Sequence, residues 1–382
     1  MKPKNILRHP FFKTLLFVCF VSLLALTAGI YNMQNIQSKN FANRLENVIP
    51  EIQVDAVQKI EISSALDNRK VTVFFDGTAW KVAERENAQA DTLMIANFLQ
   101  ELSKVKPLKE LDYSHDDKTL RDLNLADKIE TDPETGKKNT PGIRLMLYGK
   151  DNNMLLDMML GRGHIRPLEN QMDKPQLDGR YIAIKKEDGS TPIFLISNTL
   201  QDCIPIPGIW LEKLRILNAQ QLFHITYRKL KTAEQEQQVL WRVIVDREKG
   251  EPLLLYPPDK KISQQELSKK IQTLMQPISL DIVLNKKANE IVFTDLLQLT
   301  LNNGYNYNLK LSKDEKNRMF AVMDVSFYPE HIVRSYGETD EQFAQRKDML
   351  TQRFEFEKNA YQNRVFLVRN DLIDLLSAVP ES

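Results

Sequence analysis

Apolar and polar positions fall into three regimes along the chain. Thr14 to Ile30, TLLFVCFVSLLALTAGI, is an apolar run without a charge. At about 1.5 Å of rise per residue, and extended by Phe11, Phe12 and Tyr31, it reaches across the roughly 30 Å of a bilayer core. Asn32 to Pro50 is polar with scattered apolar residues, and reads as a stalk. From residue 51 onward apolar residues alternate with polar ones, and stretches of helical spacing lie between the alternating runs, which predicts strands with a few helices among them.

Val57, Ile60 and Ile62 predict a first strand and Val71 to Phe75 a second, with Asp76-Gly77 as a hairpin turn into Trp80-Lys81-Val82. Asp91 is placed to cap a helix whose apolar face is Leu93, Ile95, Phe98, Leu99, Leu102 and Val105. A charged connection containing Leu120, Leu123 and Leu125 follows. Alternation then returns in Ile143 to Tyr148, Leu155 to Leu160, Tyr181 to Ile184 and Ile193 to Ile196, and Asn198 is placed to start a short closing helix. Tight turns between alternating strands predict an antiparallel sheet with a helix, an α+β module, rather than a parallel nucleotide-binding sheet.

The same succession recurs from about Trp210. Ala56 to Ile62 matches Ala219 to Ile225 in pattern, and Val239 to Val245 turns at Lys249-Gly250 into Leu253 to Tyr256. Ser263 and Glu266 form a capping box ahead of Leu267, Ile271, Leu274 and Met275, the counterpart of the earlier helix. Leu296 to Leu301 turns at Asn303-Gly304 into Tyr305 to Leu311, and Met319 to Phe327, Val365 to Val368 and Leu372 to Leu376 complete the succession. The predicted organisation is therefore a leader over 1–13, a transmembrane helix over 14–31, a stalk over 32–50 and two tandem repeats, 51–209 and 210–382. The second repeat carries a charged helical insertion over 328–363. Thr339 and Gln342 are placed to cap it, and Phe343, Leu350, Phe354 and Tyr361 share one face, to cover a sheet edge or to dock a partner.

Charge decides the topology. Lys2, Lys4, Arg8 and Lys13 precede the apolar run and the first acidic residue is Glu46, so the N-terminus is expected in the cytoplasm and the body outside. A cleaved signal peptide is the rival reading, but Leu26-Thr27-Ala28 near the exit of the run is a poor version of the small-residue cleavage pattern, so the segment is expected to remain as an anchor. Overall the chain is 42% hydrophobic and 27% charged with a net charge of +1, a balance that gives no bulk electrostatic case for nucleic acid. Of two cysteines, Cys19 lies in the apolar run, so no intrachain disulfide is expected outside the membrane.

In this arrangement the chain resembles the bacterial domain-of-unknown-function 4340 family, in which a membrane anchor precedes repeated α+β modules. The resemblance rests on Val57 to Ile62, on Val71-Thr-Val-Phe-Phe-Asp-Gly-Thr-Ala-Trp-Lys-Val82 with the helix after it, on Thr119 to Leu125, and on Gly161 through Gly179-Arg180-Tyr181 to Ile193-Phe-Leu-Ile196. It implies a single-pass protein of the bacterial inner membrane with a periplasmic body. It further implies an accessory role beside the permease and ATPase subunits of an ABC transporter and a gliding-motility-type auxiliary membrane protein. It brings no active-site residues. The loop from Arg162 to Asp178 departs from the family in lacking a Gly-rich character.

Candidate chemistry is sparse. His9, His115, His164, His224 and His331 have no partner at metal-ligand spacing, and no P-loop, GxSxG elbow or GxGxxG is present, so no cofactor is expected. Gly161-Arg-Gly-His164 lacks the Lys-Ser/Thr of a phosphate loop and reads as a turn at a strand end. Asp112, His115, Asp116 and Asp117 form the densest polar cluster, and Arg162, His164, Arg166, Lys174 and Arg180 the only basic loop, with Glu169, Asp173 and Asp178 among them. Arg162, Arg166 and Arg180 are candidate contacts for a partner or for anionic headgroups. Trp80 and Trp241 fall at equivalent points of the two repeats and are expected as core anchors. Three functions are compatible with this inventory: a non-enzymatic scaffold, a periplasmic lipid- or glycan-binding module, and an envelope-polymer hydrolase using Asp112, His115 and His164.

Overall fold

The computed structural model describes residues 53–111, 117–131, 135–165, 177–214, 221–230, 238–246, 251–258, 263–274, 276–284 and 286–372. The leader, the apolar run and the stalk lie outside them. Among the described residues no helix is long and apolar enough to cross a membrane. The described residues are α+β, with two sheets and four α-helices, and their strands pair mostly antiparallel.

The first sheet is made by β1 (Lys59–Ser64), β2 (Arg69–Phe75), β3 (Trp80–Val82), β4 (Ala88–Gln89), β5 (Pro107–Leu111), β6 (Ile143–Tyr148), β7 (Met154–Ile165), β8 (Leu177–Ile184) and β9 (Ile193–Ile196). Its strand order is β4-β3-β2-β1-β6-β7-β8-β9-β5. Alternation sets which side is buried: Ile60 and Ile62 face Val73 and Val71 across β1 and β2, and all four are fully buried. Each such side chain contributes roughly 1.5–3 kcal/mol by leaving water. Helix α1 (Thr92–Ser103) starts where Asp91 Oδ1 accepts from the Met94 N–H at 3.0 Å, and buries Ile95, Phe98, Leu99 and Leu102. A shorter helix, α2 (Asp117–Asp122), lies in the connection from β5 to β6.

The second sheet contains β10 (Leu222–Lys229), β11 (Gln238–Val245), β12 (Pro252–Tyr256), β13 (Ser279–Ile282), β14 (Asp295–Leu301), β15 (Tyr305–Lys313), β16 (Met319–Phe327) and β17 (Phe366–Val368), in the order β12-β11-β10-β14-β15-β16-β17-β13. Helix α3 (Gln264–Leu274) begins where Ser263 Oγ accepts from the Glu266 N–H and buries Leu267, Ile271 and Leu274. Helix α4 (Asp340–Tyr361) is capped reciprocally by Thr339 and Gln342. In both sheets the first strand lies between the following hairpin and the strand that comes after the helix and edge strand. In both, the strand following the helix sits at the far edge beside the last strand. The orders are the same, β3 and β4 together standing where β12 stands.

The described residues group into two compact units, Leu99–Asp202 with 53–57, and Gln58–Phe98 with 203–372. Within the second, the segment leading into α1 runs beside Trp210 and Leu211. Ala90 bridges Leu211, the Asp91 N–H donates to the Trp210 carbonyl at 2.9 Å, and Phe98 meets the fully buried Trp210 ring edge-on at 5.3 Å.

Three local expectations are corrected. Asn198 starts no helix: the chain runs without regular structure from Ser197 to the single 3-10 turn Pro207–Ile209. Gly161 to His164 is not a turn, because β7 continues through it to Ile165. Trp80 is half-buried against Phe75 on a short outer strand, whereas Trp241 is buried and Trp210 is the deepest of the three.

Candidate functional site

A concave site lies on one face of the first sheet. Register places Arg144, Met159, Ala183 and Ile193 in one row across β6, β7, β8 and β9. The connection from β5 to β6 folds over that row, and Leu123 and Leu125 bury against Ala183 and Ile193, with Leu120 and Met159 half-covered beside them. Two glycines allow the close approach. A Cβ on Gly161 would stand 2.3 Å from the Leu123 carbonyl oxygen, and one on Gly142 2.7 Å from that of Asn124. The Arg162 N–H seals the contact by donating to the Leu123 oxygen at 2.8 Å.

Beside this apolar patch is a cleft of about 370 Å³, with Arg144 and Asp157 in its wall and Asp117, Asp127, Glu130, Lys185 and Thr191 around its opening. Arg144 donates from Nε and Nη2 to the two Asp157 oxygens at 2.9 and 2.7 Å. Asp157 is buried, and its hydrogen bonds, opposed by desolvation, raise the Arg144 pKa above the ordinary guanidinium value. The two charges of the pair neutralise one another. Among the described residues no group of three His, Cys, Asp or Glu side chains could hold a metal ion.

A second cleft, of about 760 Å³, lies along the corresponding connection of the second sheet, from β13 to β14. Lys286, Lys287 and Arg364 line it with Glu86 and Glu290. Lys286 Nζ lies 4.1 Å from the Phe320 ring centroid, and Arg318 covers the same ring at 5.5 Å. Arg364 Nη1 donates to the Asn359 and Ala360 carbonyls at 2.6 and 3.0 Å, which closes the C-terminal end of α4, and burial lowers its pKa.

The residues singled out on the insertion are occupied by their own sheet, apart from Phe343. Phe354 stacks on Phe327 at 5.8 Å, the Leu350 carbonyl accepts from the Tyr305 hydroxyl at 2.7 Å, and Tyr361 is buried with its hydroxyl donating to the Lys213 carbonyl. Phe343 lies between the Arg334 and Arg346 guanidinium groups, 4.9 and 5.4 Å from its centroid. Of the basic loop, Arg162 covers Tyr181 at 5.8 Å, His164 Nδ1 contacts Asp178 Oδ1 at 2.6 Å, and Arg180 donates to the Leu200 carbonyl. Arg166, Lys174, Asp112, His115 and Asp116 lie outside the described residues, and Asp117 is exposed at the start of α2. His224 is half-buried, and desolvation, then Arg242 and Arg228, lower its pKa. Arg144 and Asp157 were missed from sequence, although each is the lone charge of an apolar run, Ile143 to Tyr148 and Leu155 to Leu160, and two lone opposite charges on neighbouring strands are the signal of a cross-strand pair.

No family model, curated protein or solved structure matches this chain.

Proposed function

We propose that this chain is a membrane-anchored, non-catalytic scaffold in which one ancestral sheet-and-helix module has been used twice. The observation that supports it best is the shared strand order of the two sheets, because independent folds would have no reason to send the strand after the helix to the far edge both times. The uncharged run Thr14 to Ile30 behind a basic leader supports a single pass through the bacterial inner membrane with the modules in the periplasm. The partners proposed from the family resemblance are the permease and ATPase of an ABC transporter and a gliding-motility-type auxiliary membrane protein. The chemistry of the described clefts favours touch over catalysis: Arg144 is spent on Asp157 and Arg364 on a helix end.

Co-purification from native-level expression in mild detergent tests the reading. Permease and ATPase subunits should accompany the protein in fixed proportion. A preparation of the chain alone would overturn it.

The cleft beside Arg144 favours a second reading, a periplasmic module that binds a lipid headgroup or glycan. Thermal midpoints measured with headgroup phosphodiesters and acidic oligosaccharides should rise in that case, and the rise should vanish on filling the cleft with Ala183→Phe.

A further inference from the structure

The two sheets close their last hairpin very differently. Between β8 and β9 the chain needs only residues 185–192, whereas between β16 and β17 it runs from 328 to 365. Helix α4 accounts for part of that length, since it covers Tyr305, Tyr307 and Phe327 of its own sheet. The approach to the helix, Tyr328 to Thr339, is not explained in this way. It carries the most exposed large hydrophobic side chain among the described residues, Tyr336, at 108% of its reference surface, with Val333 and Tyr328 also exposed.

This approach is held in one shape. The Ser335 carbonyl accepts from the Glu338 N–H at 3.2 Å, closing a turn in which Tyr336 precedes Gly337 at φ +77. The Glu338 carboxylate accepts from the Ser335 N–H at 3.0 Å and takes both Nε and Nη2 of Arg346 at 2.7 Å. Arg346 also reaches the Val333 carbonyl, Arg334 pairs with Asp340 at 2.7 Å, and the Val333 N–H donates to the Asn302 carbonyl at the β14–β15 turn. These bonds fix the backbone that presents the ring, so the turn itself needs little further ordering at an encounter. A tyrosine presented on a fixed turn is a side chain suited to carry binding energy at a protein interface.

We propose that the Tyr336 turn is the anchor by which this protein grips a second protein, through an apolar socket with a basic rim. The socket's rim follows from charge: the turn and its clamp carry Glu330, Glu338, Asp340 and Glu341 against Arg334 and Arg346, which leaves the segment net acidic and also disfavours an anionic lipid surface as the occupant. The inference rests on the scaffold reading and names the contact that reading requires.

The test compares the permease yield that accompanies the full-length chain and its variants from native membranes, with each variant's thermal midpoint as the folding control. Tyr336→Ala should lower the yield about ten-fold or more without moving the midpoint, Tyr336→Phe should stay within about two-fold, and Leu66→Ala, at another exposed apolar site, should change nothing. Glu338→Gln keeps the ring but loosens the turn, and should cause an intermediate loss. Full yield with Tyr336→Ala overturns the anchor while leaving the scaffold standing. No permease with the unaltered chain overturns both. A change in the chain's own oligomeric state with Tyr336→Ala, at undiminished permease yield, overturns the second protein as occupant in favour of another copy.

Discussion

Arg85 and Asp281 lie 196 positions apart in the chain, yet Arg85 Nε and Nη2 donate to the two Asp281 oxygens at 2.6 and 2.7 Å. Both side chains are largely covered, at 17% and 26% exposure. Gly208 makes room for the carboxylate, since a Cβ there would stand 2.7 Å from Asp281 Cγ. The clamp therefore ties the turn after β3 to strand β13 inside one compact unit, and its hydrogen bonds raise the Arg85 pKa against desolvation.

Cutting this clamp should be costly, because either partner left alone would be a half-buried charge. Arg85→Leu is expected to destabilise by about 2 kcal/mol after allowance for residual solvent, a fall of roughly 4–8 °C in thermal midpoint. In a double-mutant cycle with Asp281→Asn the second change should add little. Additive losses would show that the two side chains act separately.

Local signals were legible wherever a few adjacent residues decide the outcome. Met319 to Phe327 and the Thr339–Gln342 cap are where alternation and capping chemistry placed them. Asn198 looked like a helix start because Asn caps helices, but no amphipathic face follows it, and a cap without a buried face has nothing to stabilise. Gly161 looked like a turn for want of a side chain, when its purpose is the approach of the Leu123 carbonyl from a distant connection. The same limit hid the first cleft: Arg144 and Asp157 meet only through the register of β6 on β7, which no stretch of sequence displays.

Gly161→Ala should therefore be felt although its backbone needs no left-handed conformation. The new methyl would meet the Leu123 oxygen at 2.3 Å and Leu125 Cδ2 at 2.9 Å, so the connection must lift. A loss of about 1–3 kcal/mol is expected. Gly189→Ala faces open space at φ +83 and should cost about 1–2 kcal/mol from backbone strain alone. Hydrogen exchange separates the two, since only the first should expose the Arg162 amide.

At the Arg144–Asp157 pair the direction of change depends on which partner is removed. Asp157→Ala leaves a guanidinium beside an apolar row and should cost about 2–4 kcal/mol. Replacing both, as Arg144→Met with Asp157→Leu, should cost less than the single change, because no charge is then left desolvated. Denaturant midpoints of the three proteins decide the matter, and a double variant weaker than Asp157→Ala would mean that the pair itself stabilises the sheet.

Phe354 distinguishes packing from docking on α4. Its ring lies on Phe327 at 5.8 Å and edge-on to Tyr305 at 6.5 Å, so Phe354→Ala should remove about 2–4 kcal/mol of stability. A variant with an unchanged thermal midpoint would show that the helix is held by other contacts.

Acid should loosen the Tyr336 turn before it unfolds the sheets. The Arg346 guanidinium, with the Ser335 N–H, holds the Glu338 carboxyl down from 4.5 to about 2. A carboxylate whose folded pKa is depressed contributes stability that is present in full above its unfolded pKa and is lost as the pH falls through the folded one. The contribution should therefore be constant above about pH 5, decline below 4.5 and be gone near 2. Asp76, also held at about 2 by the Thr78 hydroxyl and the Ala79 and Thr78 N–H groups, titrates over the same range, so the comparison must be with Glu338→Gln and not with a reference pH alone. Exchange protection of the Ser335 and Glu338 amides should be higher in the unaltered protein than in that variant at pH 6, and the gap should close by pH 2. A gap that persists in acid would mean that the turn is held by Gly337 and its backbone bond rather than by the Arg346 clamp.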